Sequence, residues 1–468
     1  MNKNFLRVLA LVFLMSPVSL AAQDASDAGA SDSLFSDESL FGSPAEGSEL
    51  DEGSQTAEMG ETAGKPETFG SAEADLFSVG LVEEISSDAV STAVTDLLES
   101  DEVIIGGNFS VSMDVDLLDD PGNVTAELSS RLFLDARPSS DFGVYIKGDI
   151  DYDPVDDAEV TLREMFADTN VSDTVFLRAG KQAVNWGVGY FYSPANVINL
   201  ETVDPENPEE ELLGPLAVRA HLPLGTTNFY AYTILEDFDG EAEPRYAAMG
   251  QFLAGNVEVS LGGIYQWDAP WAGVLTATTA IGDVSLFGEA VVEGDVDRNF
   301  VVEDEAAPMG ITSEAADGLY YSATAGFNYL WNSDDENCSI LLLGQYYYNG
   351  LGYADQTVIT DNSAGIGALM TADDLSIPDL MSPGRHYGAA SLSFSDFCDT
   401  GLTPSVFWMG NLADGSGRVN TGLSYKGIDN LIFSLSWGRS YGDEGMEFSP
   451  DGVNDSISLS ISFADSAF

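Results

Sequence analysis

Five basic residues recur at a spacing that could act on charged or dipolar solutes: Arg131, Lys147, Arg163, Arg178 and Arg219. The chain holds only 16 Lys and Arg against 78 Asp and Glu. One basic residue on each of five successive predicted strands is therefore a concentration that composition does not explain. An acid-rich stretch lies between Arg178 and Arg219 and carries Glu201, Asp204, Glu206, Glu209, Glu210 and Glu211. Opposed charges across a narrow neck create a transverse field that orients dipolar solutes and disfavours apolar ones. The simpler alternative pairs the basic residues with acids on their own strands, such as Glu127, Asp135, Asp149 and Asp151.

Other chemistries fit poorly. Nucleic-acid binding needs a basic footprint, and the net charge is −62. A serine or Asp-His hydrolase needs a histidine beside its partners, and only His221 and His386 exist. Asp149, Asp151 and Asp153 have the odd spacing of a calcium loop, yet Pro154 stands where the turn glycine belongs and Val160 where the bidentate glutamate belongs. No zinc spacing appears. The expectation is a protein that is not an enzyme and has no metal or cofactor.

Strands must position the basic residues. Phe109, Val111, Met113, Val115 and Leu117 alternate with polar neighbours, and so do Ile457, Leu459, Ile461 and Phe463 with serines. Period two with one apolar face marks a strand between two environments. Repeats of about ten residues match the length a tilted strand needs to cross a bilayer. Aromatics collect near strand ends, at Tyr265, Trp267, Trp271, Tyr320, Tyr321 and Tyr346 to Tyr348, as in membrane girdles. Short turns are expected at 138–141, 255–256, 282–283 and 427–430, and long loops at 294–317 and 350–384. The fold class is all-β: a transmembrane antiparallel barrel of about 18 strands over 103–468, with 16 as runner-up because 245–279 parses poorly. That width leaves an aqueous channel.

Alternation assigns faces. Val124, Ala126, Leu128, Leu132 and Leu134 face lipid, so Arg131 points inward. Phe142, Val144, Ile146 and Ile150 do the same for Lys147; Val160, Leu162 and Phe166 for Arg163; Val175 and Leu177 for Arg178. Leu216, Val218, Ala220 and Leu222 send Arg219 and His221 inward, while His386 shares the outward parity of Leu392 and Phe394. Lys181 has the opposite parity to Arg178. It reaches the lumen only through a bulge, for which Gly180 is the expected place; otherwise it snorkels to an interface.

The run Arg178-Ala179-Gly180-Lys181-Gln182, then Trp186-Gly187 and Pro194, resembles porin-like bacterial outer-membrane proteins, in which a basic strand ends in Trp-Gly. The chain also resembles classical porins in placing an acidic third outer loop opposite a basic ladder. The resemblance implies a loop folded into the lumen and passive diffusion of small hydrophilic solutes. The large acidic excess in the outer loops favours mild cation preference. The competing class is a surface adhesin or interaction barrel with a plugged lumen.

Residues 1–22 form a signal peptide, with Lys3 and Arg7 before a short apolar run and small residues at the cleavage site. Residues 23–75 are an acidic tail too poor in large apolar groups to order. Residues 76–102 hold helical spacing at Val82, Ile85, Ala89, Ala93 and Leu97 and form a short amphipathic helix, in the periplasm or in the lumen. The expected site of the mature chain is the bacterial outer membrane. Expected partners are outer-membrane lipid, small hydrophilic solutes and the barrel-insertion machinery, which would read Phe463 or Phe468; a homo-oligomer is left open. Cys338 and Cys398 fall in consecutive periplasmic turns, where a disulfide and two free thiols are equally consistent.

Overall fold

The computed structural model describes residues 103–116, 124–153, 157–235, 244–428 and 431–466, except 268, 308, 334–337, 396, 398 and 399. The expected signal peptide at 1–22, acidic tail at 23–75 and helix at 76–102, together with Cys398 and Phe468, lie outside the described residues.

Eleven strands follow one another: β1 (Val103–Asp116), β2 (Val124–Ser139), β3 (Phe142–Asp153), β4 (Asp157–Val171), β5 (Val175–Lys181), β6 (Leu216–Leu224), β7 (Thr227–Ile234), β8 (Arg245–Ala254), β9 (Val257–Tyr265), β10 (Trp271–Ile281) and β11 (Val284–Gly294). A separate hairpin of β12 (Asn299–Glu303) and β13 (Ile311–Ala315) interrupts them. Then come β14 (Leu319–Asn332), β15 (Ser339–Tyr348), β16 (His386–Ser395), β17 (Leu402–Asn411), β18 (Gly417–Ile428), β19 (Leu431–Tyr441) and β20 (Asp455–Ser466). Each barrel strand pairs antiparallel with the next, and β20 returns to β1 with Val111 opposite Phe463. The result is one closed sheet of 18 strands, as alternation predicts. Closure leaves no open edge, and it satisfies the backbone where no water is available. The stretch that parsed poorly resolves into β8, β9 and β10, joined by a tight turn and a short loop.

The outer surface carries the apolar half of the alternation. Leu261, Leu330, Leu435 and Phe463 are exposed there, which in water would be costly and in lipid is required. The chain is a transmembrane β-barrel.

Two departures from simple alternation bear on the lumen. Between β3 and β4 the register slips, with Lys147 opposite Glu164 and Gly148 opposite Leu162. Arg163 is the extra residue, so parity reverses beyond it. Phe166, read as lipid-facing, instead turns inward and is buried, stacked on Tyr145 at 5.2 Å. The bulge expected at Gly180 is absent: β4 and β5 stay in register from Met165–Lys181 to Val171–Val175. Gly180 is still needed, because its φ is 138° and a Cβ there would lie 2.1 Å from the Met165 carbonyl oxygen. Lys181, which joins the pore basic ladder only if that bulge exists, therefore sits on the outer parity at the end of β5.

Long connections gather at one rim and short turns at the other. Two long loops hold structure that alternation did not reveal. The β12–β13 hairpin packs with α1 (Thr357–Thr360), α2 (Ser363–Thr371) and α3 (Ile377–Leu380) around Val301, Ile311, Ile366 and Leu375. Asp379 ties them together by accepting from the Asn299 backbone (2.7 Å) and the Ser376 backbone (2.8 Å). Burial alone would push the Asp379 carboxyl up, but these donors hold it below its usual range.

Candidate functional site: a lumenal loop and a basic wall

The connection between β5 and β6, residues 182–215, folds into the barrel. Its first leg packs on the inner wall: Val184, Trp186, Ala195 and Ile198 join Ile234, Met249, Ile264, Val274 and Val291 in one apolar cluster. The Trp-Gly pair has a local reason. The Asn196 side-chain oxygen accepts from the Trp186 and Gly187 backbones at 3.0 and 2.8 Å, closing the loop's first turn. A Cβ on Gly187 would meet the Ser193 hydroxyl at 1.6 Å.

Two wall residues hold the loop's crossing. The Glu289 carboxylate, buried on β11, accepts from the backbones of Val188, Gly189 and Ala195 and from the Ser193 hydroxyl. The Gln345 side chain on β15 accepts from the Phe191 backbone at 2.7 Å and donates to the Tyr192 carbonyl. Phe191 packs on Phe407 at 5.4 Å, and Tyr192 stacks on Tyr347 at 5.1 Å. The loop thus spans from β5 to the far wall.

The return leg carries the acids. Glu206 accepts from Arg418 on β18 at 2.8 Å. Glu209 accepts from Tyr190 at 2.9 Å, within the loop. Glu210 lies 3.6 Å from Arg163, and Glu211 lies 3.4 Å from Arg131 and 2.7 Å from Lys147. Glu201 and Asp204 are used inside the loop: Glu201 accepts from the Leu213 backbone and Asp204 from the Glu206 backbone. A cavity of about 400 Å³ opens between Leu200, Glu201, Thr202, Asp204, Glu210 and Leu212.

Arg131, Lys147 and Arg163 thus form one cluster with the loop. Asp149, buried on β3, takes a two-point contact from Arg131 (2.7 and 2.9 Å) and a third from Arg163 (2.7 Å). Lys147 also meets Glu164 at 3.3 Å. Strand acids and loop acids both pair with the ladder, and the two expected walls touch here rather than facing each other across open space. Glu127 and Asp151 meet Ser129, and Asp135 meets Arg137.

Arg178 and Arg219 stand apart from that cluster, directly opposite each other on β5 and β6. Arg178 makes a two-point contact with Asp168 and lies over the Phe166 ring, 3.7 Å from its centroid. The Arg219 Nε has no hydrogen-bond partner among the described residues. His221 faces inward, stacked on Tyr230 at 4.5 Å with Asn228 at 3.0 Å. His386 faces outward against Tyr346 at 2.7 Å. Cys338 is a free, half-buried thiol. Glu289, Gln345, Asn196 and Arg418 escaped sequence reading, although their inward parity was the available signal for the three on strands. Among the described residues no group of three metal-ligating side chains occurs.

No protein-family model matches this sequence, and no curated protein matches it. Solved structures similar to it include the outer-membrane protein OpdK of Pseudomonas aeruginosa. OccK2 (OpdF) of Pseudomonas aeruginosa, solved in complex with glucuronate, is 11% identical, with a TM-score of 0.45 over 78% of this chain and 98% of that one. OprD of the same organism is 14% identical, with a TM-score of 0.43 over 78% and 95%. OccAB3 of Acinetobacter baumannii is 10% identical, with a TM-score of 0.43 over 78% and 100%. The likeness is one of barrel fold.

Proposed function

We propose that this chain is a bacterial outer-membrane channel for passive diffusion of small hydrophilic solutes through a charged constriction. The observation that carries the reading is the loop 182–215, held inside the barrel by Glu289 and Gln345 and seated by its acids on Arg131, Lys147 and Arg163. A loop anchored to the wall by buried hydrogen bonds narrows a lumen in a fixed way. A charged rim there admits solutes that can replace water's hydrogen bonds and rejects those that cannot.

The ion pairs between loop and ladder weaken the transverse field. The acids facing the cavity beside Glu201 supply the remaining sites for polar contact. With acids in large excess, mild cation preference is expected, carried only by charges near the neck, because screening at 0.15 M salt acts within ~8 Å. The test is the reversal potential in a salt gradient, with and without Arg131, Arg163 and Arg178 neutralised together. Neutralisation should move selectivity further toward cations. If selectivity and conductance both stay unchanged, the ladder does not line the path. Glucuronate, held by the similar OccK2 structure, is a suitable first organic probe.

The plugged adhesin barrel predicts no conductance. The structured cover of β12, β13 and the three short helices is the feature that favours it.

A further inference from the structure

We propose that Glu447 is a proton-dependent clasp that holds the outer loops together over the lumen and releases them as its carboxyl ionises. Glu447 belongs to the β19–β20 connection, residues 442–454. The Tyr387 hydroxyl lies 2.9 Å from each of its carboxyl oxygens, and the Asn411 amide donates to it at 2.7 Å. Both partners reach into other loops. The Tyr387 hydroxyl accepts from the Gly384 backbone at 2.7 Å, at the end of the β15–β16 connection. The Asn411 amide also reaches Gln356 at 3.2 Å in that connection. The Glu447 backbone donates to Asp414 at 3.1 Å in the β17–β18 turn. Glu447 therefore joins three outer connections, one of them through its backbone and the others through its carboxyl.

No basic group within ion-pair distance of this carboxyl occurs among the described residues. The charged and titratable groups that face it are Tyr387 from β16, Asp414 from the β17–β18 turn and Tyr192 from the lumenal loop. Arg418 from β18 borders the same cavity of about 310 Å³, but its guanidinium is engaged by Glu206. Asp414 is a like charge, and the site is largely removed from water. Burial, reinforced by Asp414, pushes the Glu447 carboxyl up to about 7. Tyr192 and Tyr387 lie 5.7 Å apart, so loosening at Glu447 reaches the loop that narrows the pore.

The clasped carboxyl holds its proton up to about pH 7, whereas a freed one loses it near 4.5. The clasp is at full strength below about 4.5, weakens as pH rises from there to about 7, and is constant above. One proton is lost on opening in that window, so the opening equilibrium rises about tenfold per pH unit.

The experiment is hydrogen–deuterium exchange of residues 442–454 in the detergent-solubilised full chain between pH 5 and 8, corrected for intrinsic exchange, beside single-channel recording. Exchange should rise by up to tenfold per pH unit and level near pH 7, with more frequent opening transitions. E447Q should abolish the dependence, D414N should lower the pH at which it levels, and H386Q should leave it intact. A flat wild-type profile overturns the proposal, and so does an E447Q variant that titrates like the wild type. The exchange arm does not depend on the channel reading. A pH-dependent exchange step with no current would uphold the clasp and sink the channel.

Discussion

Replacing Glu289 with alanine removes the main anchor of the lumenal loop. The wild-type carboxylate accepts from three backbone N–H groups and one hydroxyl, all on residues 188–195. Hydrogen bonds to a charged group contribute about 1.5–3 kcal/mol each, and losing the acceptor leaves buried donors unsatisfied. The four are not additive, because the loop can rotate some donors toward water. Taking about two bonds as the net loss gives roughly 3 kcal/mol, or about a hundredfold rise in loop opening. E289Q should fall between, since an amide oxygen can retain the Val188, Gly189 and Ser193 donors while its NH₂ group faces the Ala195 N–H. Hydrogen exchange over 184–197 and single-channel conductance are the paired readouts. Both should increase in the order wild type, E289Q, E289A. Unchanged exchange in E289A would refute the anchoring role. Faster exchange with unchanged conductance would show that the loop moves without narrowing the path.

Other variants test separate parts of the structure. G180A should reduce barrel stability by roughly 1–3 kcal/mol, because a side chain at that φ is strained and meets the Met165 carbonyl; the measurement is unfolding in urea followed by gel mobility. D379A should loosen the outer cover by about 0.5–2 kcal/mol through loss of its cap to Ser376 and Asn299, seen as faster proteolysis at 355–382 with the barrel intact. R418Q should free Glu206 and raise the cation preference measured by reversal potential, with little effect on barrel stability, because the pair is half-exposed.

Strand number and lumen-facing basic residues were legible in the sequence because a period of two is a direct record of two environments. Arg131, Lys147, Arg178 and Arg219 fell on the expected face for that reason. Phe166 did not, because one extra residue at Arg163 reverses parity, and a bulge leaves no mark in composition. Gly180 attracted the bulge prediction because glycine also serves positive φ, and here it serves that need alone. The acidic loop was visible as charge, but its anchors were not. Glu289 and Gln345 look like ordinary lumenal polar residues until the loop's backbone donors arrive beside them. The helices within the β15–β16 connection were hidden for a related reason: they are short, and their core is completed by a hairpin from another loop.

The most direct test of the channel reading is swelling of liposomes that contain the purified protein, challenged with a pentose, a hexose and a disaccharide. A channel narrowed by residues 182–215 predicts swelling that slows with solute size, and a gentler size dependence in E289A. Liposomes that fail to swell with any solute, for the wild type and E289A alike, would contradict it and leave a plugged barrel.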